Sequence, residues 1–576
     1  MKKNVALLFV FAVLLVHSTA YALGGNGATC NPSTTNWGSC SLAPVPFQAS
    51  VTKTVNIPAG NYTIPYQATQ ENTKHVLQGN ITADGTAIEI KASYVIIDLN
   101  GYTITYNQTK PGEGVAAGAY NLHHVSVRNG SIIQGAAMSE GDLYGRGNNP
   151  VGTYSTIAGG NRSIASLHVA NLYVRYGGRD VGGVICAGDN GLYEQNTTED
   201  TYEFGTLKNR MQGSEAITGA KLIVSGSIGM VYRNNTVINT RHRGIVTGDN
   251  AEVYGNHIGI RSIATNSGGV GQYAGKNISI HDNTIIGKGE HPIGIGAGGG
   301  TGSKNWEVYN NRIDLQITAL GSEYGSPYAS NPSATYIGNS ASGIRVTWGG
   351  DNLNFHDNQI IIVTSSRYVG TYSPTGTTAY IDGGGKGMFL GAYAGESSTY
   401  ANNIISVTGD GTYTYGVTCS YSFSEGMYVV NNTITSSQYN IVIGDDYGAC
   451  NDYPLFQGNT LIKSGLSGSY KTIANTYNDV NRNAQARFVD NAYQNGASES
   501  SILLRPQGTG LTNVYFGSVV NTEYKYSYRL HDNTNGSSTL LREDFVPSAA
   551  TLPYSYPGYV PPPTAQPPII KKIILK

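Results

Sequence analysis

Between residues 76 and 470 apolar and polar positions alternate in short runs, the period-2 pattern of strands with one buried face. A phrase recurs in which such a run meets one or two asparagines and a β-branched run follows. It reads Val253-Tyr-Gly-Asn256-His-Ile, Ile278-Ser-Ile-His-Asp-Asn283-Thr-Ile-Ile, Val308-Tyr-Asn-Asn311-Arg-Ile, Phe355-His-Asp-Asn358-Gln-Ile-Ile and Tyr428-Val-Val-Asn-Asn432-Thr-Ile. The asparagines fall at 235, 256, 283, 311, 358, 403, 432 and 459, mostly 21 to 29 residues apart, with two gaps of 47 and 45. Such spacing fits one turn of a solenoid. Asparagine tolerates left-handed backbone better than most residues, so each is expected at a sharp bend between strands. Stacked at the spacing of paired strands, about 4.8 Å, the amides would hydrogen-bond in a ladder. A second phrase follows about ten residues later where no insertion intervenes: Gly244-Ile-Val-Thr, Ile293-Gly-Ile-Gly, Gly343-Ile-Arg-Val-Thr-Trp, Gly387-Met-Phe-Leu-Gly, Gly416-Val-Thr-Cys and Asn440-Ile-Val-Ile-Gly-Asp. Three short strands per coil are therefore expected.

Together the phrases resemble the repeats of the pectin-lyase-like superfamily. The stretch from Gly85 through Ile97-Asp-Leu-Asn100-Gly-Tyr-Thr-Ile is similar to the usual first coils of that superfamily. The resemblance implies an all-β, right-handed parallel β-helix of three-stranded solenoid coils with N- and C-terminal caps. Its members include pectate and alginate lyases, polygalacturonases, epimerases, phage tailspikes and non-catalytic surface proteins, so fold alone does not set activity. The expected organisation is a signal peptide over 1–22, an N-terminal cap over 23–75, the β-helix over 76–470, a C-terminal cap or small β region over 471–552 and a Pro-rich tail over 553–576. The caps would shield strand edges at the ends of the solenoid.

Composition narrows the classes further. The chain has 576 residues, 13% of them charged and 39% hydrophobic, so it can bury a large core, and wholesale disorder and a long coiled coil are excluded. Its net charge of −1, with no Lys/Arg block outside the extreme termini, lacks the footprint of nucleic-acid binding. Lys2 and Lys3, the apolar run Ala6 to Val16 and the Ala20-Tyr21-Ala22 cleavage site read as a secretory signal, too short to span a bilayer. No other stretch approaches a transmembrane span. A secreted or cell-surface monomer is expected. Of Cys30, Cys40, Cys186, Cys419 and Cys450, the first two could close a small loop; the others are read either as free thiols or as paired.

Candidate chemistry gathers around the second phrase. Its outward positions are expected to form an exposed column of Val246, Gly294, Arg345, Phe389, Thr418 and Val442, with Gly248, Gly296, Thr347, Gly391, Ser420 and Gly444 two residues on. Small residues there suit a groove for an extended ligand. Trp348, Tyr393, Asp445 and Asp446 occupy the turn that follows. Arg241, His242, Arg243, His291 and Lys386 precede the same strand. Arg345 could pair its fork with a sugar carboxylate while His242, Arg243 or His291 takes the adjacent proton, with Trp348, Lys386, Phe389, Tyr393, Asp445 and Asp446 as substrate contacts. Turn residues can equally be charged for solubility, and Gly-Asp445-Asp446-Tyr-Gly also reads as an ordinary turn.

The resemblance does not supply a matched catalytic set. A polygalacturonase-like Asp pair ahead of Gly-His-Gly is not met, since Arg243 follows His242 and Asp445-Asp446 lies far downstream. The clustered calcium-binding aspartates of pectate lyases are also missing; no cofactor is evident, though Asp249 with a neighbouring coil's carbonyls could bind one calcium ion and the Asp445-Asp446 pair could bind a cation. The long gaps correspond to insertions at 318–340 and 365–385, in which Tyr324, Tyr328, Tyr336, Tyr368, Tyr372 and Tyr380 could stack on sugar rings as a wall beside the groove. The expectation is a carbohydrate-active protein that binds, and cleaves or epimerises, an extended extracellular polysaccharide. The alternatives are a non-catalytic surface or adhesive β-helix and a structural filament subunit using its open ends.

Overall fold

A computed structural model describes residues 51–135, 151, 164–176, 185–186, 190–201, 215–218, 228–240, 243–262, 267–271, 275–289, 292–297, 303–317, 336–337, 340–347, 350–364, 370–372, 377–381, 384–391, 397–411, 414–420, 427–445, 448–450, 454–465, 470–475, 485–498, 502–504, 513–517, 524–531 and 539–543. The signal peptide, most of the expected N-terminal cap with Cys30 and Cys40, and the Pro-rich tail lie outside them.

The alternating runs form short strands that pair in parallel with their counterparts one coil on. One coil shows the plan. Lys304–Tyr309 leads through Asn310 and Asn311 into Arg312–Ile317, and after the insertion Ser340–Val346 completes the turn. Lys304 then pairs with Asp351, Arg312 with Gln359 and Ser342 with Lys386 in the next coil. The first two strands of each coil belong to one 31-stranded sheet bent at the asparagine corner, and the third belongs to an 11-stranded sheet. The fold is thus a parallel β-helix, as the repeats led one to expect. Parallel pairing reaches beyond the expected limits, from Lys53–Ile57 against Thr73–Leu77 to Gln485–Val489 against Asn513–Gly517. Beyond that, Tyr524–His531 and Thr539–Glu543 pair antiparallel, ending the run of parallel coils.

Side chains pointing into the coils make one continuous core. Ile295, Ile344, Met388, Val417, Ile441 and Ile473 line the third strand of successive coils and are fully buried. Opposite them stand Ile285, Ile313, Ile360, Ile405 and Ile434. Where the third strand approaches this isoleucine row the chain carries glycine: a Cβ on Gly343 would lie 2.3 Å from Ile360 Cγ2 and 2.6 Å from the Gly387 carbonyl oxygen. The recurrent Gly-Ile entry to this strand is therefore a packing requirement. At the C-terminal end Asn440 takes the glycine position, its amide donating to the carbonyls of Ile434 and Ile462 at 2.8 and 2.9 Å. Cys419 and Cys450, both buried, are joined in a disulfide.

The asparagine ladder is real. Asn196, Asn235, Asn256, Asn283, Asn311, Asn358, Asn403, Asn432, Asn459 and Asn491 stack in order, each Nδ2 donating to the Oδ1 of the next at 2.9–3.0 Å. Each amide also donates to a carbonyl of the preceding coil, as Asn311 Nδ2 does to Ile280 O at 2.9 Å. The backbone N–H of Asn311 meets Asn358 Oδ1 at 3.1 Å, so both atoms of these buried amides are satisfied. One detail of the expectation is corrected. The left-handed residue is the one before the ladder: Asn234, Gly255, Asp282, Asn310, Asp357, Asn402, Asn431 and Gly458 have φ of 53 to 65°. At this corner bending and stacking are thus divided between two neighbouring residues.

Candidate functional site

The face of the 11-stranded sheet carries the residues selected from the sequence. Register places Arg243, Gly268, Ile293, Ser342, Lys386, Tyr415, Tyr439 and Lys471 in one column. The next column holds Val246, Gly271, Gly296, Arg345, Phe389, Thr418, Val442 and Ala474. Two corrections follow. Gly296, not Gly294, precedes Arg345 in its column, and Gly294 belongs to the glycine row against Ile313. Between these two columns, three residues apart along the chain, runs the glycine row that includes Gly343 and Gly387. The column expected to be exposed is also largely buried, with Val246 4%, Phe389 7%, Thr418 0% and Val442 0% accessible; Gly296 and Arg345 are half-buried.

Arg345, Lys386 and Phe389 are brought together. Lys386 Nζ lies 4.3 Å from the Phe389 ring centroid and 5.9 Å from that of Tyr415, and the Arg345 guanidinium carbon is 5.8 Å from the Phe389 centroid. Tyr415 meets Tyr439 edge-on at 5.2 Å. Two cations thus stand over an aromatic platform assembled from neighbouring coils, each ring's π-face attracting the charge beside it.

The two insertions meet each other. Tyr336–Ile337 from the first pairs with Tyr380 and Ile381 of the second, and Gly370–Tyr372 folds antiparallel onto Thr377–Ile381. This small sheet leads directly into the strands bearing Arg345 and Lys386, beginning at Ser340 and Gly384. Tyr324, Tyr328 and Tyr368 lie outside the described residues.

Arg243 is not part of this cluster. It opens the strand Arg243–Val246, is only 5% accessible, and stands four coils before Lys386 in the same column, about 19 Å away by strand spacing. Arg241, His242, His291, Trp348, Tyr393 and Asp446 lie outside the described residues. Asp445 belongs to a short antiparallel pairing, Gly444–Asp445 against Gly448–Ala449. Among the described residues no group of three or more His, Cys, Asp and Glu could hold a metal ion, and no helix is long and apolar enough to cross a membrane.

A second assembly escaped the sequence reading. On the outer side of the strand before the asparagine corner, Tyr254, His281, Tyr309 and His356 stack over consecutive coils, centroids 5.1, 4.7 and 5.3 Å apart and rings within 6° of parallel. The file continues N-terminally through Arg233, which donates to Tyr254 OH at 3.2 Å and to Glu194 Oε2 at 2.8 and 2.6 Å, and ends at His168 against Glu194 Oε1 at 2.9 Å. Despite partial burial, the hydrogen bonds from His168 and Arg233 hold the Glu194 carboxyl down at about 2. The signal was available: His-Asp-Asn occurs at both 281–283 and 356–358.

No family model matches the chain, and no curated protein matches it in sequence. Among solved structures it is similar to the tailspike protein of E. coli bacteriophage HK620 in complex with a pentasaccharide, at 12% identity over 84% of this chain and 78% of that one, TM-score 0.34. A GH87 alpha-1,3-glucanase catalytic domain in complex with nigerose is similar at 12% identity over 78% and 63%, TM-score 0.29. The A-module of the Azotobacter vinelandii mannuronan C-5 epimerase AlgE6 is similar at 11% identity over 77% and 91%, TM-score 0.20. These are distant likenesses of fold.

Proposed function

We propose that the chain is an exported glycan-binding β-helix that holds an extended acidic polysaccharide against the face around Arg345, Lys386 and Phe389, beside the sheet formed by its two insertions. The observation that carries this reading is the convergence of that cluster. Strands 30 to 45 residues apart in the chain deliver two cations and an aromatic platform to one patch, and both insertions pair at its edge. Guanidinium and ammonium groups recognise carboxylates, and the buried Phe389 ring beneath them fixes where Arg345 and Lys386 stand. The signal-like N-terminus and the Cys419–Cys450 disulfide support export.

A catalytic extension gives Arg345 the task of neutralising a uronate carboxylate while His242 takes the neighbouring proton, leading to cleavage or epimerisation. Arg243, buried and four coils from Lys386, is better suited to a structural task. A calcium requirement would add Asp249, which already accepts the Lys276 backbone N–H at 3.0 Å.

The test is a panel of uronate and neutral glycans offered to the full chain, read by calorimetry together with the ultraviolet absorbance of unsaturated products and the appearance of new reducing ends. Binding of uronate chains that weakens about tenfold in Arg345→Ala and in Lys386→Ala, and that falls with salt, is the expected result. Equal affinity for wild type and both variants would remove the assignment. Binding without either product signal would leave a pure adhesin.

A further inference from the structure

The file of rings beside the asparagine corner has a hydrogen-bonding pattern that fixes a protonation state. His281 places Nδ1 2.8 Å from Asp282 Oδ2 and Nε2 3.4 Å from Glu252 Oε1. His356 repeats this with Nδ1 2.7 Å from Asp357 Oδ2 and Nε2 2.7 Å from Glu307 Oε1. A carboxylate only accepts, and a neutral imidazole has one donor, so only the imidazolium satisfies both sides at once. We propose that His281 and His356 form a proton-binding brace: each takes up a proton on folding and, as a cation stacked on tyrosine, ties four coils together in mildly acidic solution and loosens them as the solution turns alkaline.

The surroundings are consistent on every side. The strand Glu252–Tyr254 contributes Glu252 and the Tyr254 ring, and Lys304–Tyr309 contributes Glu307 and the Tyr309 ring. Asp282 and Asp357 come from the adjoining turns, and Asn354 shares Glu307 Oε1 at 2.9 Å. Beyond His356 the register partner is Ala401, which carries no charge, and Arg233 on the other flank is engaged by Glu194 and Tyr254. The lysines of these strands, Lys276 and Lys304, stand at the end away from the histidines, Lys304 with Asp351 at 2.6 Å. Burial works against the charge on His281, yet the hydrogen bonds it donates to Glu252 and Asp282 outweigh that and raise its pKa; those to Glu307 and then Asp357 do the same for His356 against burial. Tyr309 is held neutral by burial and by the carboxylates around it. A cation between neutral tyrosine faces is the favourable arrangement for such a stack.

The direction with pH follows from the raised folded values. The stabilisation is complete below the unfolded histidine value of about 6.5 and is lost as pH rises through the higher folded values. Histidine-selective NMR of the full chain across that range, with the two signals assigned from His281→Gln and His356→Gln, is the experiment. Both imidazoles should titrate above the ordinary value, and Glu307→Gln should lower the His356 titration while leaving the ring in place. In urea unfolding the folded-to-unfolded ratio should fall with pH more steeply in wild type than in the double variant, the difference reaching at most tenfold per pH unit for each proton. Titration at or below the ordinary value in wild type, or equal slopes in wild type and double variant, would overturn the brace. If the double variant does not fold, the wild-type and Glu307→Gln titrations decide alone.

Discussion

Two corners of the coil are built from the same residue by different means. At the inner corner Asn283, Asn311 and Asn358 are buried, and a left-handed neighbour makes the bend for them. At the corner leading into the same strand, Asn250, Asn277, Asn305 and Asn352 are themselves left-handed, with φ of 54, 57, 57 and 55°. These too form a ladder, Asn277 to Asn250 and Asn305 to Asn277 at 2.8 Å and Asn352 to Asn305 at 2.9 Å, but toward solvent. Water can replace a lost partner at the second corner and cannot at the first. The inner ladder is therefore a constraint on the fold, and the outer one a local convenience of turn chemistry.

Substitutions can break that contrast. Asn311→Leu should have the largest effect, about 3 kcal/mol in urea unfolding, since the donors of Asn283 and the carbonyls of Ile280 and Tyr309 lose their buried partner together. Asn305→Ala should cost about 1–2 kcal/mol, combining two partly solvated hydrogen bonds with an alanine forced to positive φ. Asn305→Gly should cost about 1 kcal/mol less than the alanine variant, because glycine adopts that conformation freely. An Asn305 series as damaging as Asn311→Leu would show that burial is not what separates the corners. A further effect appears only in acid, in the file beside the inner corner: Glu194, held at about 2 against an ordinary 4.5, contributes stability above the unfolded value that is lost as pH falls toward 2. Glu194→Gln should flatten the urea midpoint over that acid range and leave it unchanged in slope near neutrality.

Much of this was legible in the chain. The spacing of Asn235, Asn256, Asn283 and Asn311 gave the coil period, and the buried ladder follows from it because identical amides at the strand spacing have few other partners. The grouping of Arg345 with Phe389 was also readable. Its details were not: Gly294 and Gly296 look equivalent in Ile293-Gly-Ile-Gly, and only the approach of the isoleucine row shows which of them must lack a side chain. Arg243 looked like an exposed turn residue because nothing local to Arg-His-Arg-Gly reveals what lies over it. His281 and His356 went unused for the opposite reason, since each sits within a phrase already explained by the bend.

The sequence by itself determined the period, the three strands per coil and the stacked corner, since these depend on local backbone preference and on which residues repeat. Tertiary structure alone decided which outward columns are covered, that the insertions pair with each other, and that histidines from different coils share carboxylates. Those outcomes depend on distances across coils, which are set by how strands register in space and not by any spacing along the chain.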